Sequence, residues 1–358
     1  MLAAMKKEIA LRKDYLAFHL GEERVVETLY FGGGTPSVLS IDELAGLMDA
    51  ISQYYSFAPD AEITLEANPD DLTDEYLHGL RSLGFNRLSI GIQSFFDDDL
   101  RWMNRRHTAH EAVQSVDAAR RAGFSNINID LMYGLPAMTQ NRWEANLSQA
   151  LALDVPHLSA YHLTIEPRTI FGRQQRKGKV FAIPEDESVR QFEILIDTTE
   201  KAGYEHYEIS NFAQPGFRSR HNSAYWRQQP YIGIGPAAHS YDGQSRQWNI
   251  SNNTEYVAIL ERASISPSEE QQDVPWYERE LLMPVEQYND YIMVSLRTAW
   301  GADIEYIRRR FGNTFADTLL QKANIYIQNG ALQEQTGVFT LTRKGKMIAD
   351  RIASDLFF

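Results

Sequence analysis

Glu66, Gln93 and Asp130 each close a short apolar run, in Ile63-Thr64-Leu65-Glu66, Ile90-Gly91-Ile92-Gln93 and Ile127-Asn128-Ile129-Asp130, and Arg105 follows the second of these. A further run, Thr28-Leu29-Tyr30-Phe31, ends instead in Gly32-Gly33-Gly34-Thr35-Pro36. Three glycines remove every Cβ where a strand surfaces, so a ligand can lie directly against backbone amides and carbonyls. Thr35 adds a hydroxyl, and Pro36 stops the strand. Gathered in one cavity, these groups suit a ligand that is both zwitterionic and polyhydroxylated. Backbone carbonyls accept from an ammonium group, Arg105 forks onto a carboxylate, and Glu66 or Asp130 accepts from ribose hydroxyls. Each residue alone has an ordinary structural reading, such as Asp130 capping a loop or Glu66 pairing with a lysine. The expectation rests on the set.

The elements that must position these side chains are strands at 28–31, 62–66, 87–92, 127–131, 158–163 and 206–209, alternating with amphipathic segments at 41–56, 73–83, 109–122, 140–153 and 186–202. Such alternation predicts right-handed βαβ units and a parallel sheet. Polar groups at successive strand ends favour a barrel or partial barrel over a doubly wound sheet. Residues 1–20 carry apolar side chains at helical spacing (Met5, Ile9, Leu16, Leu20) and lead straight into the first strand. A βα fold that opens on a helix suggests that a strand before it is missing; the alternative is an N-terminal capping helix. From about residue 255 the pattern turns helical, at 256–263, 284–299, 303–310 and 314–329. A strand at 338–341 and a helix at 343–355 then complete a winged-helix-like end. The predicted division is a barrel with an accessory segment over 1–254 and a helical domain over 255–358.

The net charge of −13 and a pI near 5.2 exclude a nucleic-acid binder that works through a general basic surface. No apolar run has the length of a membrane span, and acids among the early lysines argue against a targeting segment, so the expectation is a cytoplasmic protein. Within this acidic chain, Arg168, Arg173, Arg176, Lys177 and Lys179 form a basic loop, read either as a solvated face or as an anion contact near the barrel mouth. There is no cysteine among the 358 residues, which rules out disulfides, thiolate metal sites and a cysteine nucleophile in the chain as given.

The ordered series Gly-Gly-Gly-Thr-Pro (from Gly32), Leu-Glu-Ala-Asn-Pro (from Leu65), Gly-Ile-Gln-Ser-Phe (from Gly91), Asn-Arg-Arg-His (from Asn104) and Asn-Ile-Asp-Leu-Met-Tyr-Gly-Leu-Pro (from Asn128) resembles the radical S-adenosylmethionine family of oxygen-independent coproporphyrinogen III oxidase and the heme chaperone HemW. The similarity runs over nearly the whole chain, including Asn289 to Met293 and Leu296 to Thr298. It implies a partial (βα) TIM-like barrel lacking its first strand, with S-adenosylmethionine touching Gly32, Gly33, Gly34, Thr35, Glu66, Gln93, Arg105 and Asp130. Ser219-Arg220-His221-Asn222-Ser223-Ala224-Tyr225-Trp226 resembles the His-Asn-x-x-Tyr-Trp signature of the HemW branch, whose histidine is linked with heme. A neutral imidazole can ligate heme iron, while Tyr225 and Trp226 offer flat apolar surface. By spacing alone, His221 reads as a hydrogen-bonded structural histidine. The basic loop would then face the propionates. Gly233 to His239 also fits the family, on weaker grounds.

The chain departs from this family in one respect: the Cys-x-x-x-Cys-x-x-Cys that holds a four-iron cluster is not in it. Thiolates are what such a cluster requires, so no radical chemistry is expected of the chain as given. Either a segment before Met1 supplies the strand and the cysteines, the reading favoured here, or this is a cluster-free relative. The leading expectation is a HemW-like protein that binds heme and hands it to acceptor proteins. Its rivals are coproporphyrinogen III oxidation, given an upstream cluster segment, and a binding or interaction module without chemistry.

Overall fold

Period-two alternation along five strands sorts polar side chains from apolar ones and thereby decides how the sheet is used. In the computed structural model, which describes residues 1–21, 24–166, 169–178, 181–263 and 275–358, the strands β1 (Val25–Phe31), β2 (Ser56–Ala67), β3 (Arg87–Gln93), β4 (Asn126–Tyr133) and β5 (His157–His162) pair in sequence, all parallel. One face carries Leu65, Leu88, Ile90, Ile127, Ile129 and Leu158, buried in the main core beneath the helices. The other carries Thr28, Tyr30, Glu62, Thr64, Glu66, Arg87, Ser89, Asn128, Asp130, His157 and Ser159. Register fixes these into rows: Tyr30 opposite Thr64 and Thr64 opposite Arg87, then Glu66 opposite Ser89, Ser89 opposite Asn128 and Asn128 opposite His157. A slip of one residue would put the whole polar set into the apolar core, so register is strongly specified.

The sheet is a curled half-barrel, and its far edge departs from an all-parallel sheet. β6 (Glu205–Glu208) and β7 (Asn211–Ala213) are joined by only two residues, so they form an antiparallel hairpin; β7 inserts antiparallel to β5. The parallel expectation therefore holds for β1 to β5 and fails at this hairpin.

Helices α1 (Leu2–Leu11) and α2 (Ala17–Leu20) precede β1. The crossovers are α3 (Ile41–Ser52), α4 (Asp74–Ser82), α5 (Asp97–Trp102) with α6 (Ala109–Arg121), α7 (Gln140–Ala152), and α8 (Ile170–Arg176) with α9 (Glu185–Lys201). Capping boxes, Ser40 with Glu43 and Thr108 with Glu111, start α3 and α6 and satisfy N–H groups that the first turn leaves free. A short helix α10 (Arg220–Trp226) follows the hairpin. Next come an antiparallel sheet of β8 (His239–Tyr241), β9 (Ser245–Asn249) and β10 (Tyr277–Leu281), and α11 (Asn253–Arg262).

The C-terminal residues build a separate core from α12 (Pro284–Leu296), α13 (Ile304–Phe311), α14 (Asn313–Gln328), α15 (Arg343–Lys346) and α16 (Ala349–Asp355). It includes the small sheet of β11 (Ala302–Asp303), β12 (Leu332–Gln335) and β13 (Val338–Leu341). Among the described residues no helix is long and apolar enough to cross a membrane.

Candidate functional site

The glycine strand end is shaped by what it must not collide with. A Cβ on Gly32 would lie 2.5 Å from Cε1 of Tyr30 and 2.9 Å from the Glu66 carboxyl, and Gly33 sits at φ +88°, in the left-handed region. Glu66 accepts from the Tyr30 hydroxyl at 2.7 Å and from the Gly33 amide at 3.2 Å. All three glycines are exposed, leaving their backbone open to a ligand. We expect Gly32→Ala to cost about 1–3 kcal/mol of stability through overpacking. Gly34→Ala, where nothing lies within 4 Å, should fall within about 0.5 kcal/mol of the parent in urea unfolding.

Around this cradle the other predicted side chains converge. Arg105 donates to Asn68 at 2.6 Å and to the Gly91 carbonyl at 2.8 Å, and Gly91 leaves room for the guanidinium and for Gln93, either of which would lie 3.1 Å from a Cβ there. Gln93 takes φ +69°, unusual for a residue with a side chain, as β3 ends. Asp130 accepts from Asn128 at 2.8 Å. Burial pushes its carboxyl up to about 6; the Asn128 hydrogen bond pulls the other way, and Glu66 adds to the rise. Two acids, one partly desolvated arginine and exposed glycine backbone thus share one wall, as a zwitterionic, hydroxylated ligand requires. Asn68 and Tyr30 belong to this wall as well; their signal was the inward parity they share with Glu66 and Gly32.

Beneath the wall, Asn128 and Ser159 join His157, whose Nδ1 lies 2.5 Å from the Asn128 Oδ1 and whose Nε2 lies 2.7 Å from the Tyr207 hydroxyl. A carbonyl oxygen on one side and a hydroxyl on the other suit a neutral ring, and burial, then Arg87, hold its pKa well below the ordinary value.

His221 lies next to this wall, not apart from it. Its ring stacks on Tyr30 with centroids 4.7 Å apart and planes 14° apart, so Tyr30 touches both the Glu66 cradle and the imidazole. Burial, reinforced by Arg87, lowers the imidazole to about 4, which keeps it neutral at neutral pH. Tyr225, one helical turn on, shares the His221 face and reaches its Nε2 at 3.0 Å. Trp226 does not share that face. It lies under the Arg297 guanidinium, 5.7 Å from the ring centroid, toward the C-terminal core. Asn222 contributes its backbone amide to the Ser219 cap.

The basic loop proves to contain a helix, α8, capped by Thr169. Arg168 and Lys179 lie outside the described residues. Phe171 of α8 stacks on Trp102 at 4.5 Å, which ties the exposed Arg173 and Lys177 to the segment leading into Arg105. Among the described residues no group of three or more histidine, aspartate or glutamate side chains is placed to hold a metal ion. With no cysteine, the chain does not fit a four-iron cluster, whereas the glycine cradle and its neighbours supply open backbone, two carboxylates and a guanidinium.

Residues 13–150 match the model of the radical SAM superfamily, and 282–348 match the HemN C-terminal domain. The chain is 33% identical to the heme chaperone HemW of Bacillus subtilis over 91% of this chain and 84% of that protein. It is 32% identical to HemW of Lactococcus lactis, over 96% and 87%. Among solved structures, the Escherichia coli coproporphyrinogen III oxidase HemN, a radical SAM enzyme, matches with a TM-score of 0.82 at 25% identity, over 99% of this chain and 82% of that one.

Proposed function

Because this chain belongs to the radical S-adenosylmethionine family of HemW and HemN, on its HemW side, we propose that it binds heme through His221 and passes it to acceptor proteins in the cytoplasm. The observation that carries this reading is a neutral imidazole on α10, stacked on Tyr30 and facing solvent through a hydroxyl that can be displaced. Neutral imidazole is the form that ligates iron; a buried imidazolium would repel it. The Tyr225 ring, at 89° to the imidazole plane, offers flat surface beside the macrocycle once its hydroxyl has been displaced, and Arg173 and Lys177 on α8 are suited to the propionates.

Glu66, Gln93, Arg105 and Asp130, with Gly32 to Thr35, are assigned to S-adenosylmethionine. In this assignment Arg105 holds the carboxylate, the acids hold the ribose hydroxyls, and the glycine backbone lies against the amino acid. Cluster ligands are not among the residues of this chain, so no step is derived through an iron–sulfur group, and the oxidase chemistry of HemN is not assigned to it.

The reading is tested by titrating ferric heme into the protein and following the Soret band. His221→Ala should weaken binding about 10- to 100-fold and shift the band, by analogy with the loss of a metal ligand or its support. Equal affinity and an equal spectrum in the two proteins would remove His221 from the proposal.

A further inference from the structure

His221 has both ring nitrogens engaged, and the two engagements differ. Nδ1 lies 3.0 Å from the Thr28 hydroxyl on the half-buried inner side of β1, under the stacked face of Tyr30. Nε2 lies 3.0 Å from the Tyr225 hydroxyl on the outer side, and Tyr225 is 37% exposed. The backbone is fixed separately. Glu62, only 5% exposed, accepts from the amides of His221 at 2.9 Å and Arg220 at 3.1 Å, and its carboxylate lies 4.0 Å from Arg87. Arg220 in turn grips the backbone and carboxylate of Asp60, at 2.6 and 3.1 Å. The helix that carries the imidazole is therefore pinned at its first turn, and the ring is held on one nitrogen and one face.

We infer that Nε2 is the nitrogen presented to heme iron, with Thr28 as the positioning residue behind it and Tyr225 as a latch that must leave before iron can bind. This rests on the heme reading of His221 and adds which nitrogen serves, what orients it and what guards it. A ligating histidine needs its second nitrogen held by an outer partner, which fixes the ring's tautomer and orientation. Thr28 is in that place, on a strand whose register with β2 is set by the whole sheet. Releasing Nε2 requires that the Tyr225 side chain turn away from His221 and leave its edge-to-face packing on Tyr231, while the helix stays put. Releasing Nδ1 would require lifting α10 off Glu62 and Tyr30 off the ring. The neutral hydrogen bond to Tyr225 is modest, so iron can compete with it, yet every association event must break it.

The experiment is a hemin titration and stopped-flow association series on wild type, Thr28→Val, Thr28→Ser, Tyr225→Phe and His221→Ala, with each protein's melting checked first. Thr28→Val keeps the shape of a half-buried strand residue and removes only the hydroxyl, so it should fold, bind heme about tenfold more weakly and show a shifted Soret band. Thr28→Ser restores the hydroxyl and should restore both. Tyr225→Phe removes the latch and should raise the association rate several-fold. If Thr28→Val binds like wild type while His221→Ala does not, the positioning role is overturned and the heme reading stands. If Tyr225→Phe associates no faster than wild type, the latch is overturned. If His221→Ala binds like wild type, the heme reading itself falls.

Discussion

Replacing Glu8 with alanine is expected to lower the stability of the protein by about 3–5 kcal/mol, the cost of breaking a buried charge network by removing one partner. Glu8 is fully buried in α1 and takes five donors: the Gly235 amide at 2.8 Å, the Tyr256 hydroxyl at 2.5 Å, Asn249 Nδ2 at 2.7 Å, Trp276 Nε1 at 3.1 Å and Arg12 Nη1 at 3.4 Å. Arg12, one turn on, continues the network to the Gly233 carbonyl, Ser240 and Gln247. One carboxylate thus joins α1 to β9, to α11, to the residue before β10 and to the turn that leads into β8. Burial and Glu8 together drive the Tyr256 hydroxyl far above its ordinary range, so this proton stays in the network at any working pH.

Alanine would leave Arg12 without its carboxylate and take the acceptor from the Gly235 amide, the Tyr256 hydroxyl and Trp276 Nε1, while Arg12 Nη1 and Asn249 Nδ2 keep only the Gly233 and Gly235 carbonyls. Glu8→Gln keeps the volume and one acceptor oxygen but turns an NH2 toward donors, so a smaller loss of about 1–3 kcal/mol is expected. Urea unfolding of both variants measures this directly. A loss below 1 kcal/mol for the alanine variant would show that water or rearranged side chains replace the carboxylate. The same network explains the Gly233 to His239 turn, which the sequence offered only as a weak family likeness. Gly235 adopts φ +107° and gives its amide to Glu8, and a Cβ on Gly233 would lie 2.1 Å from the His239 carbonyl.

The strand ends were legible as a set, because several polar residues closing successive apolar runs share few structural reasons to be there, and Gly32, Glu66, Gln93, Arg105 and Asp130 do lie around one wall. What lay deeper in the strands was not legible. Thr28, Glu62 and Arg87 alternate with apolar neighbours as solvent-facing residues do, and only curvature of the sheet turns that polar face into an interior. Glu8 reads as one more charge beside Lys6 and Lys7, and its burial is decided by α11 and β9, more than 200 residues away. Adjacency in sequence also misleads on a helix. Tyr225 reaches His221 because four residues make a turn, whereas Trp226 is rotated by about a further 100° and lies under Arg297 instead. The β7 insertion had no periodicity to detect, since three residues cannot show one.

Acidification should destabilise the protein well before its surface carboxylates titrate, and the sign follows from which buried groups are held neutral. His206 is pushed down to about 3 by burial and by the Lys346 ammonium, which donates to its Nδ1 at 3.0 Å; His157 is held well below its ordinary value by burial. Both fold as neutral rings and unfold to groups titrating near 6.5, so their contribution is complete above pH 6.5 and is lost as the pH falls below it. Asp130 works in the opposite direction. Its folded value of about 6 exceeds the ordinary 3.8, so acidification from pH 6 to about 4 relieves a buried charge.

Each group changes stability by about 1.4 kcal/mol per pH unit within its window. The lowered imidazoles of His206, His157 and His221 outnumber the one raised carboxyl, so on balance stability falls between pH 6 and 4. His107 and His162, also lowered by burial, add to the loss. Urea midpoints measured every half unit from pH 7 to 4 should fall continuously. His206→Gln, which keeps an acceptor for Lys346 and a donor for the Ile209 carbonyl, should flatten the slope by about one proton. A midpoint that holds level or rises on acidification would mean that these rings are reached by water in the native state and take up protons without unfolding. In that case the interior of the half-barrel would be wetter than its hydrogen bonds require.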